Sequence, residues 1–571
     1  MCGWTRTGTK RRRQNKPVAT DNSAMRWVGN LSANLLALCI TGCGFSESNV
    51  TTGNRDGVFH FGNVSEPQSI DPHVMSGSPE VNIARALFEG LVTRHPHTME
   101  MVPGVAKRWD ISDDGKVYTF YLNPGARWSN GDPVTAEDFR WSLHRSIHPQ
   151  MGNQLAYTLF GIVGAQDFAS GKITDPESVG IEVLDKLTLR IHLNNPDPYF
   201  LSTMGTYPTY PVHRATVEAH GKWTDRFSHW TRVGNIVGNG AFNLSEWKLN
   251  RRLVVTRSET YWDRDNVRLN AVVFHPIESE TAEEKMFRAG QLHFTQRVPL
   301  SKIPGYKAMQ NSPYLQHRWQ GTYFLQLNIT RDPLDDKRVR QALALATDRQ
   351  KLVNTVLLKT EVPNSVLVPV NTPGYQSPPA LDYDPARARQ LMAEAGYPNG
   401  EGWPGMEFVF NTSENHRKIA VVLQQMWKEE LGISITLANQ EWKVYLDTVN
   451  EGDYTLSRMG WIASDLDPAT YLNIFTSESG INRTGFSHAR YDEIMLELAP
   501  AEADPQLRTA LMQEAEAILM DEVPVLPLYT YNSKHLVQPS VKGAPPNVLD
   551  LQNYKYISLD PAIPVWKGEV K

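Results

Sequence analysis

The sequence predicts an α/β protein of two or three domains. The chain has 571 residues, too many for one ordinary hydrophobic core. Its second half alternates helix-period and strand-period segments, the pattern of an α/β domain with mainly parallel pairing. Charged and apolar residues make up 21% and 41%, ordinary for a folded protein, and no low-complexity tract argues for disorder.

The elements follow in order. Residues 10–16 read KRRRQNK and residues 31–42 read LSANLLALCITG. A basic region, a short apolar region and small residues before a cut site make a secretory signal over residues 1–42. Ser32, Asn34 and Thr41 interrupt the apolar run, which is too short for a membrane span. It ends in Ile40-Thr41-Gly42-Cys43, which resembles a bacterial lipobox with Cys43 as the lipidated first residue of the mature chain. A plain secretory peptide ending near a Cys is the alternative, and Met25 is an alternative start. Cys2 and Cys39 fall in the segment to be removed, so the mature chain keeps no pair for a disulfide. Removal leaves 50 basic against 61 acidic residues, a formal charge near −11, and no footprint for nucleic acid.

Residues 43–56 are small, polar and unpatterned, as in a tether. Residues 58–64 are strand-like, and 79–91 carry apolar residues at helical spacing. Residues 116–122 alternate as a strand, and 134–147 read as a helix capped by Thr135 and Asp138. Residues 188–193 and 252–258 are further strands. In the second half, 337–357 and 385–396 read as helices, 406–411 as a strand, and 418–432 as a helix ending at Gly432. Residues 433–440 read as a strand, 442–450 as a helix and 454–461 as a strand. Ligands of such sheets sit beyond the carboxyl ends of strands, where RMGWIASDLDPATYL (458–472) lies.

No catalytic or metal-binding constellation appears. VGNGAF (237–242) is too short for a dinucleotide loop, and there is no H-E-x-x-H or G-x-S-x-G. Paired carboxylates such as Asp465 and Asp467 lack spacing constraints. No cofactor and no metal is expected, and the reading is not an enzyme. Instead the chain holds 15 Trp and 21 Tyr, and Trp442, Tyr445 and Trp461 flank predicted strands with Arg458 nearby. That suits a large cleft with apolar walls and a few fixed charges.

Six ordered blocks carry a resemblance: EPQSIDPH (66–73), ALFEGLV (86–92), the long run 103–139, NIVGNGAFNLSEW (235–247), RVRQALALATDR (338–349) and NQEWKVYLDTVNEGDY (439–454). Together they resemble the oligopeptide-binding proteins of extracellular solute-binding family 5, receptors of peptide and nickel ABC importers. The resemblance spans roughly residues 58–560. It implies a two-lobed periplasmic-binding-protein fold with a hinge and an extra subdomain in the first lobe. The first lobe would comprise 57–88, 213–315 and 532–571 with the subdomain at 89–212, and the second 316–531. It implies a monomer on the periplasmic side of a bacterial membrane, anchored by lipid, that binds short peptides in extended form and passes them to permease and ATPase subunits. A specialised binder of a dipeptide, murein peptide, metal chelate or oligosaccharide, or a peptide-sensing lipoprotein, is the alternative.

The resemblance also implies site residues. The family commonly has Gly-Trp, two residues, then Asp-Tyr, and that Asp holds the ligand amine. Here Ser464 stands in that place and Asp465 follows, so Asp465 is either the amine anchor or a helix cap before Pro468. Trp461 and Trp442 match cleft-wall tryptophans, with core packing as the alternative. Arg458 either grips a ligand carboxylate or braces the pocket. His416 matches a position near the ligand's carboxyl end, with a solvated helix start as its alternative, and Ser78, Asn239 and Tyr157 lie in first-lobe segments of the site.

Overall fold

The computed structural model describes residues 47–370, 372–463 and 465–568. The expected signal segment, Cys43 and Ser464 lie outside the described residues. Among the described residues no helix is long and apolar enough to cross a membrane.

The chain from Ser48 onward forms two lobes of mixed helix and sheet. In the first, Val58–Gly62 runs parallel to Ala271–His275, and Arg252–Arg257 and Phe242–Lys248 continue the sheet in antiparallel fashion. Alternate residues such as Phe59, Phe61, Val255 and Val272 are fully buried, as period-two patterning requires. The EPQSIDPH block is explained by burial. Asp71 accepts both Arg145 Nη1 and Nη2 at 3.0 and 2.7 Å, and also the Trp230 indole at 3.2 Å. Arg145 sits on the helix Ala136–Ile147, which opens with the predicted Thr135–Asp138 capping box. The NIVGNGAF block is explained by close approach: a Cβ on Gly240 would stand 2.6 Å from the Leu87 carbonyl carbon.

Four antiparallel strands, in the order Ala106–Ile111, Val117–Leu122, Thr188–His192 and Ile181–Asp185, build the extra subdomain. Phe120, Trp128, Phe139 and Leu189 fill its own core.

The second lobe is organised on a six-stranded sheet. Its order is Val362–Pro363, Val525–Leu536, Tyr314–Leu327, Leu456–Ile462, Met406–Asn411 and Ile435–Gln440. Only the pairings of Met406–Asn411 are parallel; the other three are antiparallel. This corrects the expectation of mainly parallel pairing, because one long strand enters the lobe and another leaves it, in opposite directions. Tyr323, Leu325 and Leu327 pack into a core on one face and Phe324 into a core on the other. The predicted helix 337–357 is two helices, Lys337–Leu345 and Arg349–Thr355, because Asp348 caps a new start by accepting from the Lys351 amide at 2.8 Å. The expected tether is also corrected over its second part. Asn49–Asp56 is a helix capped by Ser48, with Val50 fully buried and its amide bonded to the Gly290 carbonyl at 2.8 Å.

Tyr314–Leu327 and Val525–Leu536 join the lobes. Their outer ends lie with the first lobe, where Thr295 exchanges hydrogen bonds with Leu536 at 2.9 and 3.0 Å. Tyr314–Arg318 pairs with Asn532–Leu536, the register then shifts, and Thr322–Gln326 pairs with Val525–Thr530. Trp319, Gln320 and Gly321 thus face Tyr531 alone. A bulge of this kind bends a strand pair, and here it lies between the lobes.

Candidate functional site

Next to this bulge lies a cavity of about 1020 Å³, lined by both lobes. That is at the upper end of small-molecule pockets. First-lobe walls come from Ser76–Ser78 at the start of the helix Ser78–Leu87, from Arg85 on that helix, and from the subdomain through Arg94, Tyr157 and Tyr199. Opposing walls come from Trp319, Gly460–Ala463, Asp465 and Asp467.

The strand Leu456–Ile462 gives this wall its character. On one side it pairs along its length with Gly321–Leu327. On the other it meets Met406–Asn411 only at Leu456 and Ser457. Beyond Arg458 that edge has no neighbouring strand among the described residues, and Gly460, Trp461 and Ile462 border the cavity. An open strand edge in a closed cavity offers main-chain groups to an extended ligand.

Trp461 is partly buried, lines the cavity and fixes its ring by donating Nε1–H to the Thr470 carbonyl at 2.8 Å. Asp465 lines it too, and its Oδ1 accepts the Asp467 amide at 2.9 Å. Asp467 in turn accepts the Ala469 amide at 3.1 Å and holds Arg508 at 3.1 and 2.6 Å. Asp465 therefore shapes the turn, while its charge reaches the first lobe. Burial lowers the Arg94 pKa and the Asp465 carboxylate opposes that shift; burial, then Asp465, raises Tyr157. Ser78 and Tyr157 line the cavity.

Four predicted residues stand elsewhere. Asn239 spends its amide on Glu89, accepting its N–H at 3.0 Å and donating to its carbonyl at 2.8 Å. Trp442 stacks on Tyr445, ring centres 6.0 Å apart, and donates to Glu80 of the first lobe at 3.3 Å. Arg458 lies behind the wall, bonded to Asn411 Oδ1 at 2.8 Å, with Tyr323 and Tyr445 rings 5.7 and 6.0 Å away. Burial works against its charge, but the hydroxyls of Tyr445, Tyr531, Tyr323 and Tyr529 outweigh burial and raise its pKa. His416 is 3.4 Å from the Tyr323 hydroxyl. Burial, then the Arg458 and Arg297 charges, holds it well below the usual histidine range.

The sequence reading missed Arg85, Arg94 and Trp319. Among the described residues Arg85 has no ion-pair or hydrogen-bond partner; burial lowers its pKa, opposed by Tyr210, Tyr554 and Asp550. The Trp319 indole N–H is likewise buried without a partner. Arg85 sits within ARALFEGL, where it reads as the polar side of an amphipathic helix.

The family model described as Bacterial extracellular solute-binding proteins, family 5 Middle, matches residues 100–483. The periplasmic murein peptide-binding protein MppA of Escherichia coli K12 is 37% identical over 498 residues, 84% of this chain and 89% of its own. The periplasmic oligopeptide-binding protein OppA of the same organism is 36% identical over 501 residues, 84% and 88% of the two chains. The solved structure of the E. coli murein tripeptide binding protein superposes with a TM-score of 0.83 at 34% identity, covering 88% of this chain and 98% of that one. Haemophilus influenzae OppA in complex with RPPGFSPFR gives the same score at 32% identity, covering 88% and 99%. The unliganded open form of MppA, at 34% identity over 88% and 97%, scores 0.59. The lobes here are thus arranged as in the peptide complex and unlike that open form.

Proposed function

Because the chain belongs to the bacterial extracellular solute-binding proteins of family 5, we propose that it is a receptor, not an enzyme, that closes around short peptides and delivers them to the permease and ATPase of an ABC importer. The observation that carries this is the open edge of Leu456–Ile462 inside an interlobe cavity of about 1020 Å³. Main-chain pairing to that edge would hold an extended peptide whatever its side chains. Asp465 would take the ligand amine and Arg85 a ligand carboxylate, with charge-assisted bonds strengthened by exclusion of water. Lipid on Cys43 would keep the receptor at the membrane surface.

A second reading, a specialised binder of murein-type peptides, is favoured by the relationship to MppA and by Arg85 in the cavity wall, where it could meet an additional carboxylate. Calorimetry with free, N-acetylated and C-amidated tripeptides tests the proposal. Acetylation should weaken binding by about tenfold or more (about 1.4 kcal/mol), and Asp465→Asn should abolish the difference. Equal affinity for free and acetylated peptides would remove Asp465 from the site.

A further inference from the structure

At the base of the two strands that join the lobes, three potential ligands converge. His317 comes from Tyr314–Leu327, His535 from Val525–Leu536 and Asp550 from the C-terminal segment, and one donor atom of each lies within 4.8 Å of the others. Both imidazoles address the same carboxylate oxygen: His535 Nε2 is 2.8 Å and His317 Nε2 3.4 Å from Asp550 Oδ1. Bonds of about 2.0–2.1 Å to a tetrahedral ion give ligand separations of about 3.4 Å, matched by the His317–Asp550 separation, with the His535–Asp550 pair shorter and all three donors within 4.8 Å.

The surroundings suit a metal centre. His535 Nδ1 faces the Thr295 carbonyl at 2.9 Å. A donor there leaves Nε2 as a lone pair, the outer-shell arrangement of metal-bound histidine. Asp550 adopts a left-handed backbone, φ 52°, and is held by the Asn547 carbonyl at 3.0 Å. An imidazolium–carboxylate pair joins His535 to Asp550 at hydrogen-bond distance. His317 meets the same carboxylate only at ion-pair distance, 3.4 Å, with its side chain 11% exposed, and neither ring nitrogen makes a well-aligned hydrogen bond among the described residues. The Gln296 Oε1, whose amide nitrogen is 3.5 Å from Asp550 Oδ2, is also buried without a partner.

We propose that His317, His535 and Asp550 bind a divalent transition-metal ion of the Zn²⁺, Co²⁺ or Ni²⁺ class. Two imidazoles and one carboxylate favour these ions over Ca²⁺ or Mg²⁺, which take oxygen ligands. The ion would tie both connecting strands to a residue of the cavity wall, since Asp550 also borders the ligand space. Its place is therefore the hinge, apart from the peptide edge at Gly460–Ile462.

The test is titration of the tag-free, metal-stripped protein with Co²⁺, followed by visible absorption, with Zn²⁺ as competitor. The expected result is one Co²⁺ per chain with intense four- or five-coordinate d–d bands, displaced by Zn²⁺. His317→Gln should weaken Co²⁺ binding at least 30-fold while thermal midpoint and peptide affinity stay unchanged, because His317 lies outside the cavity wall. Absence of those bands, or Co²⁺ binding equal in wild type and His317→Gln, would overturn the proposal and leave a proton-bridged His535–Asp550 pair. If His317→Gln lowers the thermal midpoint, His317→Asn with the same Co²⁺ readout and an unchanged midpoint decides the matter.

Discussion

Trp442 donates its indole N–H to Glu80 at 3.3 Å, joining the helix Trp442–Asn450 of one lobe to the helix Ser78–Leu87 of the other. Glu80 is fully buried; burial raises its pKa, opposed by the Gln68 amide at 2.8 Å and by this indole. A second contact, Gln68 Nε2 to Asp447 Oδ1 at 2.9 Å, lies beside it. Both bridge the two lobes, so separating the lobes would break them and they favour the closed state over an open one.

Trp442→Phe keeps the stacking on Tyr445 and removes the donor. A hydrogen bond to a buried carboxylate contributes about 1.5–3 kcal/mol, so ligand affinity should fall about 10- to 100-fold by calorimetry. Small-angle scattering should show more of the open form at subsaturating ligand. Unchanged affinity would mean that closure does not draw on this contact.

Gly460→Val should abolish binding. The residue borders the cavity on the open strand edge, and a Cβ there would run into the Tyr531 hydroxyl. The clash also costs stability, about 1–3 kcal/mol as for overpacking, so thermal midpoint and peptide affinity should both fall. Retained affinity would place the peptide elsewhere in the cavity.

Arg85→Met should discriminate ligands by their carboxyl end. Affinity for free-acid peptides should drop about tenfold or more, while C-amidated peptides, already lacking that charge, should bind as before. A loss equal for both would make Arg85 a packing residue.

Much of this arrangement was readable from residue order. The Thr135–Asp138 cap, the helix stop at Gly432 (φ 73°) and the alternating strands follow from local chemistry. The connecting strands were not, because Tyr314–Leu327 is half-exposed over its first residues and then buried on both faces, leaving no single period. Asp348 escaped notice because the apolar spacing of 337–357 runs across it. For Arg458 residue order leaves open gripping a ligand carboxylate or bracing the pocket, and for His416 a place near the ligand's carboxyl end or a solvated helix start. The packing of Tyr323 and Tyr445 across separate elements sets both side chains behind the cavity wall. Trp461 and Asp465, on a turn at a strand end, stand in the cavity wall as that position implies.

Acid should destabilise the fold through two fully buried histidines. His73 Nδ1 lies 2.8 Å from Arg145 Nη1, and His293 Nδ1 accepts the His60 amide at 3.0 Å, so each must keep a lone pair there. Burial, and for His73 also Arg145, lowers them to about 4 and about 3. An unfolded histidine titrates near 6.5. Below that pH the unfolded chain takes up protons that the native state refuses, so stability falls toward pH 4, by at most roughly 1.4 kcal/mol per pH unit for each group. Urea midpoints at pH 7, 5.5 and 4.5 should decline in order, and His293→Gln should flatten the slope. A midpoint flat from pH 7 to 4.5 would contradict the assignment.

The most direct measurement is native mass spectrometry of the freshly purified protein, with bound ligand released and weighed. A ladder of short-peptide masses is the predicted result, as a strand edge that reads main chain should retain many sequences. A single dominant non-peptide mass would contradict the account.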